Sequence, residues 1–139
     1  MSTTVLDTIK NRRTVFRFTS DPVTEEMLQT VLEAGRWAPS WTNTQPWNFL
    51  LITDQNIKER LSEVAPVCIA VVVDATKDRF HLVEDGAAAT QNMALAAHSL
   101  GLNSSWIGIF DIENRRKSAE VEVRKILGIP KTHRVISLL

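Results

Sequence analysis

Val67-Cys68-Ile69-Ala70-Val71-Val72-Val73 is apolar at every position. A strand facing water on one side would alternate; a short, unbroken apolar run belongs to a strand covered on both faces. The next long segment, residues 85–100, carries alanine at Ala87, Ala88, Ala89, Ala94, Ala96 and Ala97. It is too long for a strand and suits a buried helix, whose small side chains allow close backbone approach. Gly101 supplies its C-terminal stop. A doubly covered strand beside a buried helix predicts an α+β domain in which helices pack on a sheet.

Outward from this centre, residues 48–53 read as a strand and 56–64 as a short helix. Residues 104–110 read as a strand interrupted by Gly108. Asp111 is placed to cap a last helix that Gly128 and Pro130 end, with Glu120 and Arg124 paired four residues apart on its exposed side. Residues 135–139 form a final strand. Toward the N-terminus, Thr4 and Asp7 have capping-box spacing for a first helix through Val5, Leu6 and Ile9. Asn11 to Thr14 is a polar break, and Asp21-Pro22 a turn. Thr24 caps a second helix with Glu25 and Glu26 in its first turn; Met27, Leu28, Val31, Leu32 and Gly35 share one face. No linker or repeat divides the chain, so residues 1–139 read as one domain.

Sixteen Lys and Arg balance sixteen Asp and Glu. Zero net charge argues against sequence-independent nucleic-acid binding and against a polybasic membrane surface. No segment has the length and apolarity of a membrane span, and a single cysteine makes no intrachain disulfide. A cytoplasmic location is the expectation. His81, His98 and His133 lack partners at ligand spacing, so no metal site is assigned. Cys68, inside the apolar run, reads as a small buried hydrophobe and not as a nucleophile.

Three segments carry chemistry. Arg12-Arg13-Thr14 offers two guanidinium forks and a hydroxyl, a donor set suited to phosphate; read alone, a solvated basic turn is the commoner outcome. Ala38-Pro39-Ser40-Trp41-Thr42-Asn43-Thr44-Gln45-Pro46-Trp47 combines stiffening prolines, amides able to pair with a heterocycle, and flat aromatic surface. A rigid loop with core-filling aromatics is the alternative, best suited to Trp47. Gly108 within Ser104-Ser105-Trp106-Ile107-Gly108-Ile109-Phe110 indicates a bulge or a close backbone approach to a ligand.

In this order the segments resemble the nitroreductase family. Arg12-Arg13-Thr14-Val15-Phe16-Arg17-Phe18 resembles its opening Arg-Arg-Ser, variable, basic pattern. The loop 38–47 is similar to its Ala-Pro-Ser-Ser-x-Asn-x-Gln-Pro-Trp. Residues 85–102 and 105–111 resemble its central helix and following strand, and the match runs over nearly the whole chain. The resemblance implies a mixed, mainly antiparallel sheet flanked by helices. It also implies a homodimer with FMN at the subunit interface, NAD(P)H as donor and a small-molecule acceptor such as a nitroaromatic or quinone, served by a ping-pong mechanism. In that picture Arg12, Arg13 and Thr14 hold the phosphate and ribityl chain, with Phe16 beside them. Pro39, Ser40, Trp41 and Asn43 contact the flavin from the partner subunit. A backbone N–H at Gly108 or Ile109 points at flavin N5, and no side chain is an obligate acid or base.

Three departures from the family pattern stand out. Phe16 occupies the basic position, and Arg17 follows one step later. The connection from Thr53 to Val67 is short. The chain reaches Leu139 where the family continues into an arm that wraps the partner. These departures keep two other readings open: a flavin-binding module with weak turnover, and a specialised FMN enzyme that removes halogen or fragments flavin.

Overall fold

The computed structural model describes residues 4–61 and 65–139. Its centre is strand β2 (Cys68–Asp74), where every residue from Cys68 to Val73 is buried. Ile69, Val71 and Val73 enter one hydrophobic cluster, and Cys68, Ala70 and Val72 enter another on the opposite face. Strand periodicity of two thus gives each face its own core, as the unbroken apolar run predicts.

Strand β1 (Trp47–Ile52) pairs with β2, β2 with β4 (His133–Leu138), and the two-residue β3 (Ile107–Gly108) with β4, giving the order β1-β2-β4-β3. All three pairings are antiparallel. Among the described residues the parallel component is one isolated bridge, Thr14 to Ser104, outside the named strands. The register of β2 against β4 slips between Val71, opposite Ser137, and Val72, opposite Val135, leaving Ile136 as an extra residue. The bulge therefore sits in β4, while Gly108 pairs regularly with Ser137.

One face of the sheet is covered by α2 (Glu25–Arg36) and α4 (Leu82–Ser99), whose buried Val31, Ala89, Met93 and Ala97 join Ile69, Val71 and Ile136. Gly86 makes this packing possible: a Cβ there would lie 2.4 Å from Ile136 Cγ1. One turn on, Thr90 bonds Ser137, hydroxyl to hydroxyl, at 2.8 Å. The other face packs against α3 (Gln55–Arg60) and α5 (Ala119–Leu127) through Ile57, Val123 and Leu127. The remaining helix, α1 (Val5–Asn11), carries the expected Thr4–Asp7 capping box.

Several boundaries differ from expectation. The helix expected over 56–64 is seen over 55–60, and 62–64 lie outside the described residues. α4 begins three residues earlier than expected, at Leu82. The strand expected over 104–110 contracts to Ile107–Gly108. Asp111 does not cap α5. Ser118 does, its hydroxyl accepting the Val121 N–H, while Asp111 turns the preceding loop by accepting the Arg115 N–H at 2.7 Å. Glu120 is not on an exposed side paired with Arg124; it is 1% exposed and bound to Arg134 at 2.6 Å.

Candidate functional site

Gly108 lies on the edge strand, and hydrogen-bond alternation fixes where its amide points. The Ile109 N–H donates to Ile136 C=O at 3.0 Å. In an antiparallel ladder the preceding pair, Gly108 and Ser137, is then a non-hydrogen-bonded pair, so the Gly108 N–H faces away from β4. The residue is exposed, and a Cβ built on it would meet nothing within 4 Å. Of the two amides expected to serve a flavin, Ile109's is committed to the sheet and Gly108's is outward-facing. Open space beside an outward donor is what a planar ring lying against the backbone requires.

The basic segment runs close by. Thr14 bridges Ser104, and the Val15 N–H donates to Ser104 C=O at 3.1 Å. Gly108 lies four positions after Ser104, at most about 14 Å of chain. Arg13 folds back, donating to the carbonyls of Lys10 and Arg12 at 2.7 and 3.0 Å. Among the described residues no carboxylate pairs with Arg12 or Arg13. Without such a partner among the described residues, their charge is open to an anion such as a phosphate group. Phe16 is 75% exposed. Arg17 lines an open groove of about 340 Å³ with Phe18, Val31, Ile69, Leu102 and Leu139. That groove includes none of the expected cofactor residues.

The Pro39–Asn43 segment is a strained, self-bonded loop. Thr42, Asn43 and Gln45 have φ of 46°, 57° and 48°, the left-handed region where β-branched Thr42 is an outlier. The Ser40 hydroxyl accepts the Gln45 N–H at 2.9 Å, and Asn43 Oδ1 accepts from Gln45 Nε2 at 2.8 Å. The Trp41 N–H donates to Asp85 Oδ1 at 3.0 Å. Its ring, 55% exposed, stacks on His81 at 4.2 Å, and His81 Nδ1 lies 2.6 Å from Asp78 Oδ2. Burial pushes the Asp85 carboxyl above its ordinary value, with the Trp41 N–H opposing the rise. Among the described residues its Oδ2 is buried without a hydrogen-bond partner.

The Trp41 anchor and the Thr14–Ser104 bridge lie at opposite ends of α4, and Gly108, opposite the Ser137 that bonds Thr90, lies between them. Asp85 holds Trp41 in the first turn, whereas the Leu102 N–H bonds Ala97 C=O in the last and leads into Ser104. Asp85 and Ala97 are about 18 Å apart along the helix axis. Within one chain, Thr14 and Trp41 are anchored near opposite ends of α4.

Sequence reading missed the Asp78–His81–Trp41 stack and the Glu120–Arg134 pair. The first depends on a fold-back that no local spacing encodes. The second carried a signal: Glu120, Val123 and Leu127 share one helical face, Val123 in the core and Leu127 packed against it. Among the described residues there is no group of three or more His, Cys, Asp or Glu side chains placed to hold a metal, and no helix is long and apolar enough to cross a membrane.

Known proteins match this arrangement. A family model described as the Nitroreductase family matches residues 9–66 and 63–139. A provisionally assigned NADH dehydrogenase/NAD(P)H nitroreductase of Methanothermobacter thermautotrophicus is 33% identical over 138 residues, covering 91% of this chain and 70% of its own length. The structure of an FMN-dependent nitroreductase from Clostridium difficile superposes with a TM-score of 0.89 at 26% identity, over 96% of this chain and 83% of the other. A provisionally assigned nitroreductase of Desulfovibrio desulfuricans, solved in complex with FMN, superposes with a TM-score of 0.82 at 30% identity, over 96% and 82% of the two chains.

Proposed function

The chain belongs to the nitroreductase family, and on that premise we propose that it is an FMN-dependent oxidoreductase that draws electrons from NAD(P)H. When bound, FMN would supply the redox chemistry, hydride transfer from NAD(P)H to an acceptor such as a nitroaromatic or quinone. The chain's own residues bind and orient. Arg12 and Arg13 offer positive charge to the phosphate, and Thr14 adds a hydroxyl. The outward Gly108 N–H is a fixed donor for charge that builds on the ring, a preorganised dipole that need not reorient during the reaction. The observation that carries the reading is this outward amide on an exposed glycine, four positions after the Ser104 that the basic segment bridges.

The separation along α4 supports a homodimeric site, in which Pro39, Ser40, Trp41 and Asn43 of a second copy complete the pocket. The exposed Trp41 ring is the natural wall for a planar ligand. A second reading, a flavin-binding module with slow turnover, is favoured by Phe16, which leaves a solvent-facing ring where a cation would favour the reduced, negatively charged flavin.

The test is a visible absorption spectrum of the purified protein with and without added FMN, followed by anaerobic titration with NADPH and NADH. A bound flavin that bleaches with either nucleotide is the expected result. A bound flavin that neither reduces favours the second reading, and absence of flavin binding overturns both.

A further inference from the structure

Strand β3 is only two residues long and has β4 on one side alone. Such an edge segment cannot hold the aim of the Gly108 amide by ladder bonds alone, yet its continuation is tied down at every residue. The Ile109 and Phe110 N–H groups both donate to Ile136 C=O, at 3.0 and 3.3 Å. Ile136 is the bulged residue of β4 and is seated on Gly86. The Asp111 N–H donates to Glu120 Oε2 at 2.9 Å, and the Asp111 C=O accepts from Arg134 at 2.7 Å. Arg134 lies 4.4 Å from the centre of the Phe110 ring.

Glu120 and Arg134 thus act as one clamp. The carboxylate also accepts from Arg134 at 2.6 and 2.7 Å and from the Val135 N–H at 3.2 Å. It ties α5 and β4 to the segment immediately following Gly108. Burial alone would raise the Glu120 carboxyl; the Arg134 guanidinium and the Asp111 and Val135 amides outweigh it and hold the group below its ordinary range. A buried ionic pair is an expensive way to gain stability, since apolar residues of like volume often serve as well. Its directional bonds to both backbone groups of Asp111 give it a use that apolar packing would lack.

We propose that Glu120 and Arg134 are positioning residues that fix the direction of the Gly108 N–H and so tune the flavin held against it. This rests on the FMN reading above. The experiment compares wild type, Glu120→Gln and the double variant Glu120→Gln/Arg134→Met, the last leaving no unpaired buried charge if the single variant fails to fold. Ile52→Val, a core change in the distant strand β1, controls for lost stability.

Two quantities are read: amide hydrogen exchange across 107–111 in flavin-free protein, and the two-electron potential of bound FMN. Expected are exchange at least tenfold faster in 107–111 with β2 unchanged, and a tenfold loss in preference for reduced over oxidised flavin, about 30 mV. Ile52→Val should move neither. Unchanged exchange and potential in the clamp variants, with wild type binding FMN, would overturn the inference alone. Wild-type protein that binds no FMN overturns the functional reading and this inference with it.

Discussion

Phe16 is the residue whose replacement is most informative. Its ring is 75% exposed, so Phe16→Arg should fold normally, within the ~0.5 kcal/mol typical of surface changes. The new guanidinium would place a cation beside the flavin ring and should raise the two-electron potential of bound FMN by about 30 mV, a tenfold gain in preference for the reduced form, with the gain fading in high salt. Redox titration at low and high salt reads this directly; an equal potential in wild type and variant would remove Phe16 from the site. Asp85 makes a prediction of opposite kind. Its folded carboxyl holds a proton more tightly than the unfolded one, because burial penalises the charge. Stability from this group therefore rises as pH falls through the raised folded value and levels off below the unfolded value near 3.8. Asp85→Asn keeps an oxygen for the Trp41 N–H and should equal or exceed wild type in thermal stability at pH 7, the margin closing in acid. A variant clearly weaker at neutral pH would show that the charge itself, not the acceptor, holds the loop. Asp85 was legible only as a helix residue. Its role depends on Trp41, forty-four positions away, and on left-handed backbone at Thr42 that residue type argues against.

Among the elements, two glycines separate packing from function. In α4, Gly86→Ala would drive a methyl into the branched Ile136 side chain, a stiff neighbour unable to swing aside. Overpacking of that kind costs about 1–3 kcal/mol, readable as a lower urea midpoint. In β3, Gly108→Ala meets nothing within 4 Å, so its midpoint should stay near wild type while FMN affinity drops, since the methyl occupies the face offered to the ring. Loss of stability without loss of flavin in Gly108→Ala would reverse that assignment. The contrast shows what sequence can carry. The double burial of β2 and the Thr4–Asp7 cap of α1 are local, encoded in residues that touch or alternate, and both were readable. The end of α5 at Gly128, left-handed with φ 67°, was readable for the same reason. The shortness of β3 was not, because Ser104 leaves the sheet to bridge Thr14. Nor was Glu120's partner, since Arg134 lies fourteen residues away and helical spacing offered Arg124 first.

For the whole molecule, the question is whether one chain can build the site. Thr14 is bridged near the last turn of α4 and Trp41 is anchored in its first, about 18 Å apart along its axis. A second copy would bring the missing wall, and a face suited to receive it is present. α1 is well capped, yet Val5, Leu6 and Ile9 are 75%, 57% and 50% exposed, an apolar stripe on a formed helix that solvent alone does not favour. On the dimeric proposal, dilution should release FMN in step with dissociation, both following one curve of protein concentration. Leu6→Glu with Ile9→Glu would place like charges across the junction, giving a monomer by sedimentation velocity with its circular dichroism intact and its flavin lost. Neither residue is among those assigned to the cofactor, so the loss would report assembly and not a broken contact. A double variant that sediments as a monomer and still holds FMN with wild-type affinity would mean that one chain suffices. The Trp41 loop would then serve some purpose other than walling a shared pocket.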